Sequence, residues 1–329
     1  MPSTFLKPTR VVNLGLGLLL REQTISQLLW RLGLSDFVGA SGDTVSIRVP
    51  AYATARQRAL RSGAARVKDQ IHERKVDVTL DLDIYKDIGI TDEQLTLDIA
   101  DFGAQVLQPV MQGVALSIED EAAATIAGTT FHNILTHSIA TADAYDTLID
   151  ARVRLNNAFV PNSGRFVLAG SDFAADALRS ERLVDASRAG DSGALRDATI
   201  GRVAGFDIIE SMVIPANRAY ALHRTAFAMV QAAPAVPAGA PWGATQEFAG
   251  NAVRTVRVFD PDLVEDRLVV DSWVGVSPVT DAGHFTAAAN AGGRWVPVAD
   301  PAVPITGQTP ADLNDLARMV RGVQINVTA

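Results

Sequence analysis

Val76-Asp77-Val78-Thr79-Leu80-Asp81-Leu82-Asp83-Ile84-Tyr85 alternates apolar with polar or acidic residues over nine positions, Val76 to Ile84. Successive strand side chains point to opposite faces. Val76, Val78, Leu80, Leu82 and Ile84 therefore share one face, and Asp77, Thr79, Asp81 and Asp83 share the other. Upstream, the turn signal Ser41-Gly42-Asp43 leads into Thr44-Val45-Ser46-Ile47-Arg48-Val49-Pro50, whose β-branched alternation is a second strand signal. Two strands flanking residues 51–75 make a long hairpin with an extended tip. A loop of this length within a compact domain is uncommon and usually functional.

The charge of this region is uneven. Residues 51–75 carry Arg56, Arg58, Arg61, Arg66, Lys68, Arg74 and Lys75 against only Asp69 and Glu73. Residues 76–101 carry eight acidic residues against the single Lys86. Opposite blocks suggest complementary surfaces on different copies of the chain. The plainer reading is a solvated basic loop beside an acidic strand. Nucleic-acid stacking has little support, because Tyr52 is the only aromatic ring in the loop.

Beyond the hairpin, Ile99, Phe102, Val106, Val110, Val114, Ile118 and Ala122 repeat at steps of three and four. They predict a long helix, roughly 40 Å if continuous to Ala127. Pro109 should kink it or mark a restart, and Gly128 should end it. Glu119, Asp120 and Glu121 lie in its far half, where the helix dipole does not favour carboxylates; water or a basic partner is expected to hold them. Before the hairpin, residues 9–34 read as two short amphipathic helices, the second carrying Ile25, Leu28, Leu29 and Leu32. They form either a terminal pair folded on its own domain or an arm reaching a neighbour. From His132 to about Met229 helix and strand alternate: a helix over Ala142–Asn156, a strand over Arg165–Leu168, a helix over Phe173–Leu178 capped by Ser171, a turn and strand over Gly201–Ser211, and a strand over Phe227–Gln231. Ala232–Pro241 is a loop. Two long strands follow, Ala252–Asp260 and Arg267–Val276. Residues 282–309 are rich in Ala, Gly and Pro and read as an extended arm, with a short helix over 310–321.

Composition narrows the function. With 329 residues, 48% of them hydrophobic and 20% charged, the chain is globular. A net charge of −8 disfavours a phosphate-gripping surface. Cysteine is absent, which excludes disulfides and thiolate chemistry. The apolar run Val11–Leu20 follows Lys7 and Arg10 as in a signal peptide, but no small-residue cleavage site follows and the run is too short to span a bilayer. Gly15-Leu16-Gly17 lacks the third glycine of a dinucleotide loop, His132 and His137 are spaced wrongly for a metal on one helix face, and Gly170-Ser171-Asp172 is no nucleophile elbow. Asp81 and Asp83 fit a plain solvent face. No catalytic constellation and no cofactor or metal is therefore expected. Several segments lack a way to bury themselves within one subunit, which favours an assembly protein; an α/β enzyme with a scattered site is the alternative from a different class.

The order of segments resembles the major capsid proteins of tailed bacteriophages, which share the Hong-Kong-97 fold. The resemblance rests on Leu18-Leu19-Leu20 and Leu28-Leu29-Trp30-Arg31 leading to Asp36-Phe37, on Gly42 to Pro50 as the entry to an extended loop, and on Thr91 to Leu97 with Asp101-Phe102 and Pro109 as its exit into a spine helix. Gly201-Arg202-Val203-Ala204-Gly205-Phe206-Asp207-Ile208, with Ser211 and Pro215, resembles an axial-domain strand. It implies an α+β chain: an N-terminal arm over 1–40, an extended hairpin loop over 41–90, a spine helix of the peripheral domain over 91–128, an axial domain over 129–245, the long peripheral strands over 246–281 and a C-terminal extension arm over 282–329. That last segment runs past the usual end of the family. Against the family pattern, neither a large inserted barrel between residues 129 and 245 nor the N-terminal scaffolding domain of some members is expected.

The resemblance further implies a non-enzymatic shell subunit that assembles with itself into hexamers and pentamers around double-stranded DNA, without sequence-specific binding and without a membrane. Implied partners are a separate scaffolding protein, a portal protein and, in some members, a decoration protein; the implied location is the virion capsid, assembled in the host bacterial cytoplasm. An encapsulin-like compartment is the alternative within the fold. Expected inter-subunit contacts are Arg56, Arg58, Arg61, Arg66 and Lys68 in the loop, Glu119, Asp120 and Glu121 on the spine helix, and Phe285 and Trp295 in the tail.

Overall fold

The computed structural model describes residues 23–32, 44–49, 57–63, 65, 68, 74–91, 103–180, 201–248, 250–261, 265–285, 293–297 and 317–328. They form two compact units. The base of the extended hairpin is a two-stranded sheet of β2 (Thr44–Val49) and β3 (Arg74–Thr79), with Val45, Ile47, Val76 and Val78 buried as the alternation requires.

In the first unit a six-stranded sheet runs β1 (Trp30–Leu32), β10 (Phe227–Ala232), β13 (Glu265–Pro278), β12 (Asn251–Asp260), β11 (Trp242–Phe248), with β4 (Leu82–Thr91) also paired to β13. The 14-residue β13 is its spine. Arg254↔Asp271 through Asp260↔Glu265 match it to β12, and Leu82↔Val274 through Thr91↔Glu265 match it to β4, both antiparallel. Leu268, Val270 and Val274 are buried on one face. The other face carries ion pairs between neighbouring strands, Arg254 with Asp271 and Arg267 with Asp87.

The alternating run Val76–Tyr85 is not one strand. It breaks at Leu80-Asp81, β3 pairing with β2 and β4 with β13. The break lies where two backbones cross: a methyl group on Gly275 of β13 would overlap the Thr79 carbonyl. Only a residue without Cβ allows that approach.

The long helix forms as a π-helical turn, Gly103–Leu107, followed by α2, Gln108–Gly128. Pro109 thus marks a restart; as the second α-helical residue its missing N–H costs no helix bond. Of the predicted stripe, Val110, Val114, Ile118 and Ala122 are buried and Val106 is half-buried, while Ile99 and Phe102 lie outside the described residues; Ile126 continues the buried face. The upstream segment differs from expectation. A single turn, α1 (Ile25–Leu28), ends at Leu29, which is extended (ψ 164), and Trp30–Leu32 runs parallel to Ala228–Val230 of β10. The edge of β10 offers unpaired backbone groups, and satisfying them outweighs one more helical turn. Residues 1–22, with the first predicted helix, lie outside the described residues.

The second unit is an eight-stranded sheet, β15 (Trp295–Pro297), β14 (Asp281–Phe285), β16 (Ala317–Thr328), β9 (Arg218–His223), β6 (Arg165–Ala169), β8 (Phe206–Glu210), β7 (Arg202–Val203), with β5 (Phe131–Ser138) also on β16. Two helices, α3 (Ala144–Asn157) and α4 (Ser171–Arg179), join Leu148, Leu155 and Phe173 to Val167, Phe206, Val323 and Ile325 in one core. Ser171 is the first helical residue and caps nothing; Gly170 holds the cap position. Phe227–Ala232, read from the sequence with the middle region, belongs to the first unit.

The largest correction concerns the C-terminus. Residues 317–321 are not helical. They open β16, which runs parallel to β5 (Ile325↔Leu135) and antiparallel to β9 (Ile325↔Ala219) in the middle of the sheet. Met319, Val320, Val323, Ile325 and Val327 are buried there. Far from being an arm between subunits, the described part of the tail completes its own subunit's core. Residues 310–316 lie outside the described residues.

Candidate functional site

The extended loop presents a turn at its tip. The Ser62 N–H donates to the Ala59 carbonyl at 3.2 Å, and Gly63 takes a left-handed conformation (φ +62) that favours glycine. Leu60, at the crest of the turn, is 98% exposed. Arg58 and Arg61 flank it, and both are exposed, as is Lys68. Arg56 and Arg66 lie outside the described residues.

The acidic block maps onto β4. Antiparallel register places Asp83 opposite Trp273 and Tyr85 opposite Asp271, all on the face away from the buried Leu268 and Val270. Tyr85 is 65% and Trp273 42% exposed. Asp271 is held by Arg254, whereas Asp83 makes no ion pair among the described residues. Burial, then the neighbouring Asp271, pushes the Asp83 carboxyl above its usual range, with Arg254 opposing. Tyr85 and Trp273 went unnoticed in the sequence. The available signal was a large aromatic on the solvent phase of each strand's alternation.

The spine-helix acids separate into three environments. Asp120 is exposed. Glu121 is half-buried and accepts from the Thr125 hydroxyl at 3.4 Å. Glu119 is buried and faces its own chain, not a partner. Its carboxylate accepts from the Ile25 N–H (2.6 Å), the Ser26 N–H (3.0 Å) and the Thr24 hydroxyl (3.3 Å), and also from the Ser26 hydroxyl. Arg31 backs this tie, donating to the Ser26 carbonyl (2.7 Å) and Gln23 Oε1 (2.8 Å). Burial pulls the Arg31 guanidinium down to about 10, and Glu119 opposes that shift. A carboxylate surrounded by donors in the sequence-distant segment 24–26 cannot be recognised from its helical position alone.

Of the two tail aromatics, Trp295 turns inward. Trp295 is buried in the core of the second unit, its indole lying over Gly283, where a methyl group would collide with the ring. Phe285 pairs with Trp295 through the β14–β15 backbone register.

A family model described as phage capsid protein matches residues 75–272, more than half of the chain. The chain belongs to this phage capsid protein family. Solved structures agree on the fold. The chain is similar to a protein of Mycobacterium phage Che8, 19% identical with a TM-score of 0.59, over 92% of this chain and 91% of that one. It is similar to the capsid of cyanophage P-SCSP1u, 10% identical with a TM-score of 0.59, over 100% and 90%. The mature capsid of bacteriophage PhiM1 is 13% identical with a TM-score of 0.56, over 100% and 90%. No curated protein sequence matches the chain. The chain has the Hong-Kong-97 fold of these capsids and, as a member of the phage capsid protein family, is a virion structural protein. Among the described residues, no three His, Asp or Glu side chains gather as a metal site, and no helix is long and apolar enough to cross a membrane.

Proposed function

We propose that this capsid protein closes into hexamers and pentamers of an icosahedral shell around double-stranded DNA, with no enzymatic step of its own. The observation that carries this reading is the phage capsid family match over residues 75–272, and the extended loop supports it with a basic tip at which Leu60 is 98% exposed in the single chain. Such a tip gains free energy only when a second surface covers it. The net charge of −8 fits a shell that confines DNA without gripping its phosphates. A separate scaffolding protein sets shell size, a portal protein occupies one vertex, and a decoration protein is an optional addition on the outside; assembly takes place in the host bacterial cytoplasm. The loop arginines Arg56, Arg58, Arg61 and Arg66 with Lys68, together with Asp120, are the contacts this reading assigns between subunits.

Negative-stain electron microscopy of the purified chain, alone and co-expressed with a candidate scaffolding protein, tests the proposal. Closed isometric shells are expected. A monodisperse monomer or dimer under both conditions would refute it.

A further inference from the structure

We propose that Asp83, Tyr85 and Trp273 form a receptor for an arginine from a second copy of the chain, and that Arg61 of the loop tip is its occupant. This inference rests on the capsid reading above and deepens it by naming the two sides of one contact.

The receptor is built by sheet register. Asp83 and Trp273 are directly opposite across β4 and β13, and Tyr85 is the next residue on the same face of β4. Cross-strand neighbours of this kind lie about 5 Å apart at Cβ, and diagonal ones about 7–8 Å. An acid thus sits beside two exposed aromatic side chains. Guanidinium is the side-chain cation that suits this combination, because its plane stacks on aromatic faces while its N–H fork meets the carboxylate. Among the described residues no cation pairs with Asp83, although Arg254 lies near enough to oppose its shift. Arg254 is committed to Asp271 and the Ala235 carbonyl, and Arg267 to Asp87 and Asp260.

Asp83 is also costly where it stands. Its raised pKa means that the ionised form is disfavoured in the folded chain. At neutral pH the residue therefore lowers stability, and the loss develops as pH rises from the ordinary carboxyl value of 3.8 through the raised folded value. Residues kept at a cost to stability are commonly those that serve function.

The ligand side follows from the tip. Leu60 and Arg61 occupy the crest of the Ala59–Ser62 turn, and Leu60 is 98% exposed. A leucine next to an arginine matches an aromatic surface next to an acid: the leucine covers ring, and the arginine meets charge.

Charge exchange tests the pairing, with wild-type shells in parallel as the control that carries the capsid reading itself. Arg61→Asp and Asp83→Arg should each lower shell yield by about tenfold or more, since a small loss per pair recurs at every contact. The double variant Arg61→Asp/Asp83→Arg should recover most of that yield. Asp83→Asn separates the contact from folding: the free chain should melt slightly above wild type at neutral pH, while its shells form less well. If wild-type shells form and either single charge reversal assembles equally well, or the double variant fails to recover, the pairing is wrong and the cradle takes a different occupant.

Discussion

Replacing Glu119 by glutamine isolates the tie between the spine helix and the segment that precedes the extended loop. The carboxylate accepts four hydrogen bonds, from the Ile25 and Ser26 backbone N–H groups and from the Thr24 and Ser26 hydroxyls. A glutamine of nearly the same shape keeps one acceptor oxygen and turns the other position into an NH2 donor. It faces one pair of donors correctly and opposes the other pair. The Oε1 side holds the two Ser26 donors and the Oε2 side the Ile25 and Thr24 donors, so either amide orientation loses two bonds. Hydrogen bonds to a charged group contribute about 1.5–3 kcal/mol each, so two lost bonds cost roughly 3–6 kcal/mol. The hydroxyls can rotate to recover part of this, whereas the Ile25 and Ser26 N–H groups cannot. Arg31 meanwhile keeps its buried charge and loses the neighbouring anion. Hydrogen exchange is the appropriate assay, because the loss is local. Amides of residues 25–32 should exchange about a hundredfold faster or more, the factor corresponding to roughly 3 kcal/mol, while β12 and β13 are less affected. Protection at Ile25, Ser26 and Trp30–Leu32 within a factor of five of wild type would refute the reasoning.

Two further outcomes follow from buried features of the second unit. Ending the chain at residue 316 removes β16 with five buried apolar side chains, Met319, Val320, Val323, Ile325 and Val327. At about 1.5–3 kcal/mol each the loss is on the order of 10 kcal/mol, comparable to the whole stability of a domain. The truncated chain should be insoluble or lack the cooperative melting of this unit; a soluble, cooperatively folded truncation would contradict the central placement of β16. His223 should make the unit acid-sensitive. Its Nε2–H donates to the Ser163 carbonyl (2.9 Å), and its Nδ1 accepts from the Thr225 hydroxyl (2.8 Å), which in turn accepts from Arg321. Burial lowers its pKa below 6.5, the Ser163 bond opposes this, and Arg321, Arg165 and Arg224 lower it further. The unfolded chain then takes up the proton first, so stability is complete above about pH 6.5 and declines as pH falls through the lowered folded value. Urea midpoints between pH 8 and 5 check this, and His223→Gln should flatten the decline; an equal slope in both proteins would exclude His223 as its source.

Local patterns accounted for much of this fold. The spine-helix stripe with its restart at Pro109, the strands Thr44–Val49, Arg165–Ala169 and Asn251–Asp260, and the hairpin base each declare themselves within about ten residues, because side-chain periodicity is a property of the local backbone. The order of those segments sufficed for the family. The basic tip was also visible, since charge is written in the sequence. Tertiary structure alone decided the rest. Residues 317–321 carry a pattern compatible with helix, and they became strand because β5 and β9, about 190 and 100 residues away, leave a ladder open between them. The alternation through Leu80-Asp81 gives no hint of a break, which is imposed by the crossing of β13 at Gly275. Glu119 and Asp120 are neighbours of the same charge on one helix, yet one is enclosed by donors from residues 24–26 and the other faces water. Burial of a carboxylate depends on which distant segment arrives above it. A one-dimensional pattern does not contain that information.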